Sequence, residues 1–248
     1  MTNVKKNLLL LGATSDIGRA VALRYAQAGW RITLAARDRG AAQRNRDDIA
    51  ARTGADVGVL DLDILDTDGF LGFVDRLPML PDTVVCVIGD LGDQTRAQSD
   101  PVQAARALNV NFVGPALLLG ILADRFEERG SGTLVGVSSV AGDRGRASNY
   151  LYGSAKAGFT AFLSGLRNRL ASRGVRVVTV KPGFVRTRMT DGMKLPPLLT
   201  AEPQEVATAI FSAAENGRAD VVYVRAVWRP VMAVVGAIPE RVFKNLRL

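Results

Sequence analysis

The chain has 248 residues, 48% of them hydrophobic, and 32 basic against 24 acidic side chains leave a formal charge of +8. Histidine is absent and Cys86 is the one cysteine, so composition excludes an internal disulfide, a zinc site of the usual kind and every Ser/His or Cys/His nucleophile. Acid–base chemistry falls to Tyr, Lys, Asp or Glu.

A chain of this size buries one large core and reads as a single domain over 1–248. Its apolar runs are broken by charge or glycine every few residues, none nearing the roughly 18–20 that a bilayer requires. With one thiol, the cytoplasm is the expected compartment. Basic residues are scattered rather than gathered into a tail, and aromatics make up only 6%, so no nucleic-acid partner is expected. The positive balance reads either as provision for an anionic ligand or as a solvated basic surface.

The run NLLLL predicts a strand over 7–11. In the following GATSDIG, Gly12 allows a tight bend and Gly18 a close approach of helix to strand. The helix over 17–28 then aims its N-terminus at a diphosphate, with Thr14, Ser15 and Ile17 as expected neighbours. Asp16 stands where a middle glycine is usual and is expected to cap the helix, its carboxylate turned onto backbone N–H groups. A strand over 31–36 ends without an acid. Arg37 stands there instead, with Arg39 close by and Arg19 on the first helix, which favours the 2′-phosphate of NADPH over NADH. A helix over 40–52, a strand over 56–61 ending at Asp61, a helix over 67–76 and a strand over 83–88 before Gly89 continue the alternation.

A long helix over 101–129 carries Asn111, and a strand over 132–138 delivers Ser139 at its carboxyl end. On the helix over 150–173, Tyr152 and Lys156 are four apart and share a face. A lysine ammonium beside a phenol is expected to lower its pKa toward neutrality, making a general acid without histidine. Ser139 would polarise the carbonyl oxygen that Tyr152 protonates, and Asn111 would hold Lys156 through a water. After a strand over 175–180 come Pro182 and Gly183. Residues 186–202, with Met189, Met193, Leu195, Leu198, Leu199 and two prolines, read as a mobile apolar lid. A helix over 203–215 and a strand over 220–225 precede an amphipathic tail over 226–248. There Val231, Val235, Ile238, Val242 and Leu246 recur at spacings of three or four beside Arg229, Arg241, Lys244 and Arg247, and Pro239 opens a second short helix. Such a stripe suits an anionic membrane surface or a domain or subunit partner.

Short apolar strands alternating with helices predict an α/β fold, Rossmann-type and doubly wound, with a seven-stranded mainly parallel sheet and helices on both faces. Ligands are expected at the carboxyl ends of its strands.

The segments G-A-T-S-D-I-G, Asp61 followed by Leu62, N-F-V-G, S-S-V-A-G, Y-G-S-A-K and K-P-G-F-V-R-T together resemble the short-chain dehydrogenase/reductase family over nearly the whole chain. The resemblance implies Asn111, Ser139, Tyr152 and Lys156 as catalytic residues and no metal. It also implies Asp61 on adenine, Lys156 on the nicotinamide ribose, Thr187 on the carboxamide, and Gly89, Pro182, Gly183 and Val185 along the cofactor. Two departures are Asp16 and the stretch Cys86 to Gly89, where the family has N-N-A-G. Further stretches, among them GDLGD and RPVMAVVGAIPERVF, are similar to a branch that reduces polyprenyl-phosphoryl 2-keto sugars and whose first turn also carries an acid. That implies NADPH-dependent keto reduction as the second half of an epimerisation in cell-wall or polysaccharide precursor synthesis, an FAD-dependent oxidase partner, and a homodimer or homotetramer. Arg144 or Arg146 would then meet the lipid phosphate, and Met189 the substrate. The alternatives are a reductase of 3-oxoacyl carriers or small ketones, and a non-catalytic cofactor-binding regulator.

Overall fold

The computed structural model describes residues 5–217 and 219–246. Seven strands form one parallel sheet: β1 (Asn7–Leu11), β2 (Arg31–Ala36), β3 (Val57–Asp61), β4 (Thr83–Cys86), β5 (Gly132–Val137), β6 (Val175–Lys181) and β9 (Val221–Tyr223), in the order β3-β2-β1-β4-β5-β6-β9. Successive strand side chains point to opposite faces, and both faces are covered. Leu8 and Leu10 of β1 join one core with Ile32, Val85 and Val180, while Leu9 and Leu11 join the other with Val84, Leu134 and Val177. That double burial is why the strands are apolar throughout instead of alternating.

Helices α1 (Asp16–Gln27), α2 (Arg39–Thr53) and α8 (Pro203–Phe211) cover the first face. The second is covered by α3 (Phe70–Asp75), α6 (Gly114–Arg129) and α7 (Tyr150–Leu170). The chain winds from β1 outward to β3, then returns to place β4 on the other side of β1. The order reverses between β1 and β4, which opens a crevice at their carboxyl ends.

Several elements differ from expectation. The strand over 83–88 ends at Cys86, and that over 220–225 shrinks to 221–223. The expected helix over 101–129 consists of α5 (Pro101–Leu108), a five-residue π turn Asn109–Val113, and α6. As one stretch, Pro101–Arg129 is long and apolar enough to cross a bilayer, unlike what the broken runs suggested, yet half of its most apolar window is buried in the protein. Helix α4 (Gln94–Ala97) is too short and polar to leave a periodic signal. Within 186–202 the structure shows two 3₁₀ turns, and a parallel pair, β7 (Phe184–Val185) with β8 (Thr200–Ala201), ties its ends together. The tail forms α9 (Trp228–Ala237) and α10 (Glu240–Phe243), the latter opened by Pro239 as expected. Trp228 and Met232 of α9 pack on Val140, flanked by Val231 and Val235, and Phe243 is buried as well. Val242 and Leu246 of the predicted stripe face outward instead; Arg247 lies outside the described residues.

Candidate active site

Two adjoining cavities occupy the crevice, of about 340 and about 450 Å³. The first contains Ser139, Tyr152 and Lys156; the second contains Gly12, Thr14, Arg37 and Leu62. Ser15, Val87, Gly89 and Arg188 line both, so the two are compartments of one groove.

Ser139 follows the end of β5 by two residues, and its Oγ accepts from Ala141 N at 3.1 Å, which caps a 3₁₀ turn. Beside it, α7 presents Tyr152 and, one turn on, the buried Lys156. Lys156 Nζ donates to Val137 O at 3.1 Å and Ile88 O at 3.3 Å. Burial pulls its pKa from 10.5 to about 8. The expected net lowering of the Tyr152 pKa toward neutrality is not met. Nζ lies 5.7 Å from the phenol ring centroid with hydrogens committed to carbonyls, and burial pushes Tyr152 up to about 12, with the Ser139 hydroxyl pulling the other way. Desolvation of a phenolate outweighs a cation held at this distance. Tyr152 therefore keeps its proton at neutral pH.

Asn111 sits buried in the π turn, a local widening that recurs at functional sites. Its Nδ2 donates to Asp90 O at 2.7 Å and Ala107 O at 2.9 Å, and its Oδ1 accepts from Asp90 N at 2.9 Å. No direct hydrogen bond joins it to Lys156. The two side chains flank Gly89 instead: a Cβ there would stand 3.2 Å from each.

In the first turn, Gly12 has φ +92°, and a Cβ on Gly18 would stand 2.5 Å from Gly12 O. Both glycines are thus required, one by conformation and one by contact. The cap is Ser15, whose Oγ accepts from Gly18 N at 3.0 Å. Asp16, expected in that role, is already inside α1 and reaches away from it. Its carboxylate accepts from Arg188 N at 2.8 Å and Arg188 Nε at 3.1 Å, while Arg188 Nη2 donates to Thr14 O at 2.6 Å. The acid is neutralised and used as a clasp between the first turn and the segment after Thr187.

Arg37 is exposed at the tip of β2, lines the second cavity, and no carboxylate among the described residues pairs with it. Its expected companions are otherwise engaged: Arg39 pairs with Asp61 at 2.6 Å and Arg19 with Asp48 at 3.0 Å. Leu62 lines that cavity and Asp61 does not. Ile17, Pro182, Gly183, Val185 and Thr187 line the first cavity. Any side chain on Gly183 would run into the Trp228 indole. This glycine-walled groove, with α1 amides at its centre and an unpaired arginine at its β2 end, fits a nicotinamide dinucleotide.

On the substrate side, Met189 and Arg146 line the first cavity and Arg144 does not. Arg144 stacks 4.1 Å over Phe243, donates to Gly236 O and pairs with Glu240 at 2.7 Å. It fastens the tail and is not placed to meet substrate. The sequence reading missed Trp228, Asn149, Phe184 and Arg188 in the cavity walls; of these, Phe184, between Gly183 and Val185, and Arg188, next to Thr187, had a positional signal.

A doubly wound parallel sheet whose strand ends carry a glycine cradle beside a Ser–Tyr–Lys cluster defines an oxidoreductase of the Rossmann type. The chain belongs to the short chain dehydrogenase family, which it matches over residues 6–196. It is 37% identical over 252 residues to an uncharacterized oxidoreductase of Mycobacterium tuberculosis, covering 96% of each chain. Among solved structures it resembles a short chain dehydrogenase from Burkholderia cenocepacia in complex with NADP (TM-score 0.81, 20% identity, 98% of each chain). It also resembles a short-chain dehydrogenase from Sphingobium yanoikuyae in complex with NADPH (TM-score 0.80, 23% identity, 95% of this chain and 97% of that one).

Proposed function

We propose that the protein reduces a ketone to a secondary alcohol with NADPH, carried foremost by the convergence of Ser139, Tyr152 and Lys156 on a cavity continuous with the glycine-walled groove. Held along that groove by the Gly12–Gly18 turn and Arg37, NADPH would supply the hydride that the carbonyl carbon accepts. Tyr152 delivers its phenolic proton to the carbonyl oxygen, and Ser139 holds that oxygen with a second hydroxyl. Lys156, buried beneath them, stabilises the phenolate left behind. The choice of NADPH is supported by Arg37 and by the NADP and NADPH bound in the two solved neighbours.

The finer reading is a lipid-linked 2-keto sugar, reduced as the second half of an epimerisation whose first half belongs to an FAD-dependent oxidase. It is supported by the apolar walls around the catalytic cluster, Met189, Met193, Phe184 and Trp228. Pairing into a homodimer or homotetramer is supported by the exposed apolar side chains Val102 on α5, Leu117 on α6 and Tyr150 on α7.

The test is anaerobic NADPH oxidation with a polyprenyl-phosphoryl 2-keto pentose generated by a matching oxidase. Wild type turns over, and Tyr152→Phe loses at least ~10²-fold in kcat/KM while still binding NADPH. Turnover of 3-oxoacyl thioesters or small ketones in its place would move the substrate and keep the reaction class. NADPH binding with no ketone reduced would leave a cofactor-binding regulator.

A further inference from the structure

Buried polar atoms in folded proteins nearly always find partners. Among the described residues, four buried side-chain atoms have none: Asn7 Oδ1, Gln94 Nε2, Arg146 Nε and Asn149 Oδ1. Three of these four belong to residues around the start of α7, next to Tyr152. Arg146 and Asn149 line the catalytic cavity. Gln94 stands behind them, its Oε1 accepting from Leu151 N at 3.1 Å, in a smaller cavity that shares Leu91 with the first.

Arg146 is the more telling of the pair that faces the cavity. No carboxylate among the described residues lies within ion-pair distance of it, whereas Arg144, two residues earlier, is held by Glu240. Burial lowers its pKa from the usual arginine value, with no acid opposing the shift. A guanidinium keeps its charge even so. A half-buried cation without a carboxylate partner, in a cavity also lined by Met189, Phe184 and Trp228, is costly unless an anion joins it. Its fork suits an anion with two or more oxygens. Asn149 Oδ1, an acceptor without a donor, suits a hydroxyl.

We infer that Arg146 and Asn149 form an anion-recognising subsite and that the ketone substrate carries an anionic group, phosphate or carboxylate, next to a hydroxyl. The inference rests on the reductase reading only for taking this cavity as the substrate site. It separates two arginines that are alike in sequence: Arg146 reads the ligand and Arg144 holds the tail.

The test is calorimetric titration of the full-length protein saturated with NADP⁺, which fills the anion positions of the groove, with phenyl phosphate, benzoate and benzyl alcohol. We expect at least one anion to bind about tenfold or more tighter than the alcohol, the stronger of the two naming the group. Arg146→Met abolishes that preference, and Arg146→Lys, which keeps the charge without the fork, retains part of it. Equal affinity for all three ligands, no binding of any, or a preference that survives Arg146→Met would overturn the subsite. The titration needs no turnover, so the two readings fail separately. Anion binding without ketone reduction would remove the reductase reading and leave the subsite. Reduction of ketones with indifference to the anion would do the reverse.

Discussion

Lys156 is a buried cation whose burial is opposed by little beyond two carbonyls, and this has a consequence for stability. Its folded pKa of about 8 lies below the ordinary 10.5, so the unfolded chain binds more protons between those values. Stability therefore rises with pH wherever that difference operates. Burial of Tyr152 acts in the opposite sense from about pH 10 upward, because the folded phenol holds its proton to about 12. The cofactor-free protein should thus gain in urea midpoint from pH 7 to 9 relative to Lys156→Met, and identical pH profiles for the two would show that Lys156 titrates normally. At the other end of the groove Arg37 has no carboxylate partner among the described residues, which under the proposed NADPH reading leaves its charge for the 2′-phosphate. Arg37→Ala should raise the Kd for NADPH about tenfold or more and leave that for NADH within about twofold, as measured by nucleotide fluorescence.

Between elements, the first turn and the segment 186–202 are joined by the Asp16–Arg188 clasp, while Ser15 alone caps α1. The two roles can be parted by mutation. Ser15→Ala should cost about 1 kcal/mol in chemical denaturation, the usual loss of a helix cap. Asp16→Ala removes an exposed ion pair and should cost no more than about 1 kcal/mol globally. It should instead speed trypsin cleavage at Arg188 and Lys194, because one of the ties holding this segment against the groove is gone. Equal cleavage rates in variant and wild type would show that the β7–β8 pair holds the segment unaided.

At the scale of the molecule, the tail completes the catalytic cavity. Trp228 lines it, donates to Leu199 O at 3.0 Å and packs against Phe184 and Gly183. Arg144 pins the following turns through Glu240 and Phe243. Trp228→Ala should therefore lower stability by roughly 3–5 kcal/mol and raise KM for the ketone, read by urea denaturation and steady-state kinetics. An unchanged KM would mean that the indole supports the fold without shaping the site. Deleting the tail cannot test membrane contact, since it dismantles the site as well. Replacing outward Val234 and Val242 with serine and following liposome co-sedimentation isolates that question.

The strands, their double burial and the helix face shared by Tyr152 and Lys156 were legible in the sequence, because they follow from periodicity and from groups adjacent along the chain. Tertiary structure alone decided what depends on partners far away in sequence. Asp16 resembles a helix cap until Arg188 arrives 172 positions later. The phenol beside a lysine resembles an activated acid until its place in the cavity wall desolvates it. Arg144 and Arg146 have the same chemistry two residues apart, and only the placement of Glu240 makes one a fastener and leaves the other unpaired in the cavity. Local sequence fixes which groups are near one another on an element. Burial and long-range pairing fix their charge and their role.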